Sequence, residues 1–331
     1  MEWFFLYFWG KLTHSKMLKI KGKLFGVCAV VFTSLSFFSC NNFSSPAFGS
    51  QKLDSLVDIA ENLLQEKPTI HAKWDSLRKN KLTFKVDSLH PEDIKTQKRK
   101  LKDSLRKEFD KHPKHLYLTF DDGPLVGSRA LDSIARAKNI KINVFIVGRH
   151  STLGKYRLRD LNLYRANPLV AIYNHSYTHG FNHFQNFYSN TQNAFNDFKK
   201  NEEIVKLDSK IARLPGRNIW MYDKERKIDI PNATPTADSL FKDGYKIFGW
   251  DVEWRLNSTT GVPAVPMEVI YNRLVNYMNN KSSMEPNNVV FLMHDDMFQT
   301  KAGQKLLSDL LDKLIAKGYN FEFMADYPKR Y

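Results

Sequence analysis

From residue 116 to the C-terminus, short apolar runs alternate with amphipathic ones, and this rhythm constrains the fold more than any other feature of the chain. Seven runs read as strands: 116–120, 143–147, 170–173, 211–214, 246–250, 289–293 and 320–323. Between them apolar positions recur at helical spacing. The run 128–138 has Ser128 as its expected N-cap. In 301–317, Leu307, Leu310, Leu311 and Leu314 share one face and Gly318 marks the stop. Strands alternating with helices over about two hundred residues predict a parallel sheet, either open and doubly wound or closed as a barrel.

The polar residues narrow that choice, because they gather at strand ends. The first strand stops at Asp121 and Asp122, followed by the breaker Gly123-Pro124. An Asp-Asp-Gly taken alone reads as a solvated turn. The sequence NHSYTHG changes its meaning: His175 and His179 are spaced i, i+4, which predicts two imidazoles on one face of a helical turn. One carboxylate and two imidazoles make an open metal site. Arg213 and Gly216 follow the fourth strand, Asp251 and Glu253 the fifth, and His294 the sixth. In a closed barrel all of these share one rim, whereas an open sheet would carry some of them out of reach.

The motifs LYLTFDDGP (116–124) and NHSYTH (174–179) resemble the first two motifs of the polysaccharide deacetylase family, carbohydrate esterase family 4. The resemblance covers residue 116 to the C-terminus and implies an irregular (β/α) barrel of seven or eight strands. It also implies that Asp121 is the catalytic base and that Asp122, His175 and His179 hold a divalent metal. Zinc suits mixed nitrogen and oxygen ligands, although cobalt, nickel or manganese could bind the same set.

Three further stretches extend the resemblance. IARLPGRN (211–218) matches a third motif through Arg213, Leu214 and Pro215, with Gly216 where the family usually has an aromatic residue. Arg213 would then orient and charge the base, and the Gly216 N–H would help to bind the oxyanion. Arg217 or Trp220 is a candidate replacement for the missing ring. GWDVEWR (249–255) is an imperfect fourth motif, in which Glu253 or Asp251 would support the catalytic histidine and Trp250 or Trp254 would stack on a sugar. Aromatic residues at a strand end more often belong to the core. VVFLMHDD (289–296) fits the fifth motif, in which Leu292 lines the acetyl pocket and His294 is the general acid.

Upstream of the barrel the chain divides again. Lys19, Lys21 and Lys23 precede an apolar run, 24–38, that is about the length of a signal-peptide core and short for a membrane span. Ser39-Cys40 at its end resembles a bacterial lipoprotein signal, in which Cys40 is lipidated and becomes the first residue. Met17 then becomes a candidate start, and an uncleaved helical anchor is the alternative. Residues 1–39 therefore read as a signal peptide, 40–112 as a tether and helical region, and 113–331 as the barrel. Within the second segment, Leu53 to Leu64 carry an apolar stripe that Pro68 ends, and 91–110 is a charged helix, serving as stalk or cap.

Only two cysteines occur, Cys28 and Cys40, so residues 41–331 have no disulfide framework and no thiolate metal site. Residues 1–39 hold five lysines against Glu2, and removing them lowers the formal +15 to about +11. That balance suits an anionic polymer or a membrane surface. Nucleic acid is disfavoured, since no binding motif is present and an exported domain rarely meets it. Three functions follow in order: an exported, tethered N-deacetylase of an N-acetylated polysaccharide such as peptidoglycan; an O-acetyl esterase using the same groups; and a carbohydrate-binding surface lipoprotein without turnover.

Overall fold

The structure, a computed structural model, describes residues 69–79, 91–257 and 259–331, and side chains from residue 95 within the second stretch. The expected signal, Cys28, the expected lipidation site Cys40 and the apolar stripe before Pro68 lie outside the described residues. No described helix is long and apolar enough to cross a membrane.

Among the described residues, two helices precede the sheet, α1 (Ile70–Arg78) and α2 (Pro91–Phe109). Thr69 caps α1 by accepting from the Ala72 N–H at 3.2 Å. Trp74 of α1 and Leu105 and Phe109 of α2 form a small apolar cluster of their own. The helical extension expected before the barrel is thus present over these residues, and 91–110 is helical as its pattern predicts.

The strands follow: β1 (His115–Gly123), β2 (Ile142–Ile146), β3 (Val170–Asn174), β4 (Ile211–Ala212), β5 (Trp220–Tyr222), β6 (Glu225–Lys227), β7 (Lys246–Ile247), β8 (Val252–Glu253), β9 (Asn288–His294) and β10 (Asn320–Phe321). The long helices between them are α3 (Ser128–Lys138), α4 (Lys155–Arg165), α5 (Thr191–Val205), α6 (Thr234–Lys242), α7 (Met267–Asn280) and α8 (Lys301–Ala316). All seven expected strands are found, though 211–214, 246–250 and 320–323 contribute only two paired residues each. The β5–β6 hairpin and β8 were not expected. They are too short to show a period, and β6, Glu-Arg-Lys, has no apolar residue.

The sheet runs β6-β5-β7-β4-β3-β2-β1-β9-β8, with β10 added beside the start of β1. Apart from the β5–β6 hairpin and its β5–β7 contact, neighbouring strands are parallel. The ring closes through the chain itself. Residues 246–253 form one segment whose start pairs with β4 (Ile211↔Lys246) and whose end pairs with β9 (Val252↔Phe291). This is the irregular α/β barrel that the motif positions imply.

Alternation along each strand separates two cores. Leu116, Leu118 and Phe120 of β1, Val144 and Ile146 of β2 and Val289, Phe291 and Met293 of β9 face outward. There they pack with helix residues such as Leu131, Leu161, Leu274, Leu307 and Leu310. The inner set, Tyr117, Phe145, Tyr173, Val290, Phe248, Trp220, Tyr222 and Tyr327, fills the barrel with rings. The α8 face is the expected one. Its four leucines are at most 1 % exposed, and each contributes roughly 2 kcal/mol by burial.

Ser128 is not an N-cap. Gly127 holds that position, and Ser128 is the first helical residue. Its hydroxyl is committed elsewhere, donating to Asp295 Oδ2 at 2.5 Å and accepting from the Leu125 N–H at 2.9 Å.

Candidate active site

Consecutive residues on a strand point to opposite faces, so Asp121 and Asp122 should not share a pocket. The end of β1 resolves this conflict. The β1–β2 register shifts between Asp121 and Gly123, and Asp122 is left-handed with φ 71°. This bulge turns the second carboxylate onto the rim that the first already faces.

His175 and His179 also reach that rim, but not from a helical turn. They lie on the loop that leaves β3, where Ser176 (φ 63°), His179 (φ 57°) and Gly180 (φ 59°) are left-handed. Side chains hold the loop in place of helical hydrogen bonds. Asp197 Oδ2 accepts from the Tyr177 and Thr178 N–H groups, each at 2.9 Å. Ser176 Oγ accepts from the His179 N–H at 3.0 Å. Asn174 Oδ1 accepts from the Ser176 N–H and from Asn201 Nδ2, at 2.9 and 2.8 Å. Asp197 and Asn201 both lie on α5 and are supports that sequence reasoning missed. Their i, i+4 spacing on one helix face was the available signal.

The orientations fit a metal. His175 Nδ1 lies 2.8 Å from the Arg213 carbonyl, which can only accept, so Nδ1 carries the proton and Nε2 keeps its lone pair. His179 Nδ1 lies 2.7 Å from Asn182 Oδ1, which fixes the same tautomer. The two Nε2 atoms lie 3.5 and 3.2 Å from Asp122 Oδ1, a buried oxygen with no hydrogen-bond partner. Ligand atoms of the three residues all fall within 4.8 Å of one another. Burial lowers the His175 pKa to about 4, keeping it a neutral donor. Desolvation would raise the Asp122 pKa, but the His179 and His175 imidazoles outweigh it and hold that carboxyl below its ordinary value. An orphaned carboxylate oxygen facing two deprotonated nitrogens is the donor set a divalent cation takes.

Asp121 is buried beside this trio. Its Oδ2 is 3.6 Å from His175 Nε2, and its Oδ1 accepts from Arg213 Nη1 at 2.8 Å. Arg213 also donates to Thr119 Oγ1 (2.8 Å), the Phe248 carbonyl (3.1 Å) and the Gly249 carbonyl (2.8 Å), and its guanidinium lies over the Phe145 ring. His294 is opposite Asp121 in the β1–β9 register, half-buried, with Nδ1 unpartnered. Leu292, two residues earlier on the same face, is 2 % exposed. A further imidazole, not foreseen, stands beside Asp122: His150 Nδ1 donates to the Asp122 carbonyl at 2.6 Å.

The fourth motif is placed differently from its expected roles. Trp254 is fully buried in the outer core and donates from Nε1 to the Val265 carbonyl at 2.9 Å, so it cannot stack on a sugar. Asp251 does not support His294. Its carboxylate accepts from the Met284 N–H at 2.6 Å and the Val290 N–H at 2.8 Å, pinning β9. Glu253 pairs with Arg255 at 3.2 Å rather than with His294. Trp250 is half-buried, 5.8 Å from the Arg213 guanidinium, and retains an accessible edge.

Gly216 is exposed with φ 63°, and a side chain there would meet the Phe184 ring at 2.6 Å. Phe184 therefore stands where the motif's aromatic residue is missing, edge-on to His179. Arg217 lies across Phe184 and Tyr188, and Trp220 lies inside the barrel, so neither replaces the ring.

Comparison with known proteins agrees with the motifs. The family described as polysaccharide deacetylase matches residues 108–222. A peptidoglycan-N-acetylglucosamine deacetylase of Bacillus cereus is 23% identical over 320 residues, 93% of each chain. A putative polysaccharide deacetylase of Bacillus subtilis is 24% identical over 222 residues, 64% of this chain and 68% of the other. Among solved structures, the catalytic domain of a peptidoglycan N-acetylglucosamine deacetylase from Eubacterium rectale is 20% identical, with TM-score 0.49, covering 66% of this chain and 92% of that one. With its motifs in order on the rim of one barrel, the chain is similar to the polysaccharide deacetylase family over residues 108–222.

Proposed function

We propose that the protein is a metal-dependent hydrolase that removes N-acetyl groups from a polysaccharide, with N-acetylglucosamine units of peptidoglycan or a related glycan as substrate. The observation that carries this reading is the division of labour between neighbouring carboxylates. Asp122 faces two imidazole lone pairs, while Asp121 is held by Arg213. The Bacillus cereus relative named for peptidoglycan deacetylation supports the substrate class.

Asp122, His175 and His179 would hold the cation, zinc by the softness of the nitrogen donors. When bound, such an ion supplies Lewis acidity toward water and an amide carbonyl. The rest is done by this chain's own groups. Asp121, oriented by its hydrogen bond from the Arg213 guanidinium, accepts the proton of the attacking water. The Gly216 N–H, on an exposed turn, is free to donate to the oxygen that gains charge. His294, on the neighbouring strand, gives a proton to the departing amine, which would otherwise leave as a poor anion. Leu292 offers an apolar wall to the acetyl methyl, and Trp250 is the aromatic residue left for the sugar.

We also propose export and tethering through Cys40, a reading supported by the basic and apolar pattern of residues 19–40. Metabolic labelling with a fatty acid, lost in Cys40→Ala, tests it. The enzymatic reading is tested by acetate release from peptidoglycan, chito-oligosaccharide and acetylated xylan, before and after chelation. Release from the first two that is abolished by chelator and restored by zinc is expected. Release from xylan alone would transfer the assignment to the O-acetyl esterase. Tight glycan binding without release at any metal load would mean a binding protein.

A further inference from the structure

A second concave surface lies far from the rim, and its chemistry differs from that of the active site. A cleft of about 680 Å³ is bounded by α1, α2, Lys227 of β6 and the Asn280–Met284 turn that leads into β9. Its floor is apolar, made by Trp74, Leu77 and Met284, and its walls are cationic. Because that turn precedes the first residue of β9 and His294 is the last, the cleft and the site occupy opposite ends of the strand.

The charges fall into two groups. Arg78 and Lys281 are neutralised locally. Arg78 donates to the Met284 carbonyl at 2.7 Å and lies 3.4 Å from both Asp75 and Glu225, and Lys281 is paired with Asp110 at 2.7 Å. Arg99, Lys102 and Lys227 are not: among the described residues, no carboxylate lies within ion-pair distance of them, and all three are exposed. Arg99, Lys102 and Arg106 are spaced three and four apart and so share one face of α2. Arg106 lies 3.6 Å from Asp103 and donates to the Asn280 carbonyl at 3.4 Å, and its Nε is buried without an acceptor. Like charges gathered in a concave, partly apolar surface focus a positive potential into it, and an anion with several acceptor oxygens relieves both features at once.

We propose that this cleft binds a phosphate group. The apolar floor beneath the charges indicates an amphiphilic carrier, the headgroup of an anionic phospholipid at a membrane surface. Phosphate oxygens would meet Arg99, Lys102, Arg106 and Lys227, and the glycerol and first methylenes would lie on Trp74 and Leu77. The inference does not depend on the deacetylase reading.

The test is calorimetric titration of the full-length chain with dihexanoyl-phosphatidylglycerol below its micellar concentration, and separately with inorganic phosphate. Saturable lipid binding is expected, weakened at least tenfold in the triple variant Arg99→Gln/Lys102→Gln/Lys227→Gln. Binding should also fall with added sodium chloride. The single variant Lys102→Gln, checked by circular dichroism, guards against misfolding of the triple variant and is expected to lose part of the affinity. If inorganic phosphate binds as tightly as the lipid and is lost in the same variants, the phosphate site stands and the amphiphile is overturned. If neither ligand binds, or the triple variant binds like the native chain, the site itself is overturned.

Discussion

Arg213 Nη1 donates to Asp121 Oδ1 at 2.8 Å, and the pair is closed to solvent, with side-chain exposures of 0% and 4%. An isolated buried charge is expensive, and each member is tolerated because the other is present. Arg213→Met should therefore lower stability by about 3–5 kcal/mol, read from urea unfolding, because it strands the Asp121 carboxylate. A loss below about 1 kcal/mol would show that water reaches the site and replaces the guanidinium.

Asp121→Asn keeps the shape and removes the proton acceptor. Acetate release should fall by roughly 10²–10⁴, the usual share of a general base, while zinc content per chain is unchanged. Loss of metal together with activity would instead make Asp121 a ligand, which its 3.6 Å contact with His175 Nε2 makes a real alternative to exclude.

Asp197 touches no ligand atom but fastens the loop that carries both histidines, through the Tyr177 and Thr178 N–H groups. Supports of this kind set metal affinity by fixing ligand geometry. Asp197→Ala should weaken zinc binding about 10–100-fold in a competition titration with a chromogenic chelator. Unchanged affinity would mean that Asn174 and Ser176 suffice to shape the loop.

How much of this was legible in the sequence depends on how local the cause is. The period of 301–317 and the apolar run of β9 report burial directly, so those elements could be read off. The convergence of Asp122 with Asp121 could not, because it depends on a bulge against β2 that no property of Asp-Asp-Gly announces. His175 and His179 were correctly brought together for the wrong geometric reason. Their i, i+4 spacing suggested a helix, whereas left-handed residues and Asp197 make the turn. Phe184 was unreadable for a third reason: it is 32 residues from Gly216 and meets it only through the packing of the rim.

Trp254 separates core from groove. Its ring is fully buried beside Phe298, and its N–H is satisfied by the Val265 carbonyl. Trp254→Ala should cost about 3–5 kcal/mol of stability. Trp254→Phe, which keeps most of the packing, should leave KM for chito-oligosaccharide unchanged. A severalfold rise in KM for the phenylalanine variant, with no change in thermal midpoint, would return Trp254 to the substrate.

His71 is the group that ties helix α1 to acidity. It is 4 % exposed, with ring centroids 5.0 Å from Phe109 and 5.6 Å from Tyr331, and neither ring nitrogen has a hydrogen-bond partner. Burial first, then Arg330 and His112, lowers its pKa from 6.5 to about 4. A histidine depressed in the folded state is neutral in both states above pH 6.5 and takes no part in the balance there. As pH falls from 6.5 toward 4, the detached state binds a proton that the docked state refuses, and docking weakens by up to roughly 3 kcal/mol. Hydrogen exchange in Ile70–Arg78 should therefore show protection falling steeply between pH 6.5 and 4, after correction for the intrinsic exchange rate. The same segment in His71→Phe should stay protected over that range. Loss of protection that persists in the phenylalanine variant would trace the acid sensitivity to another group.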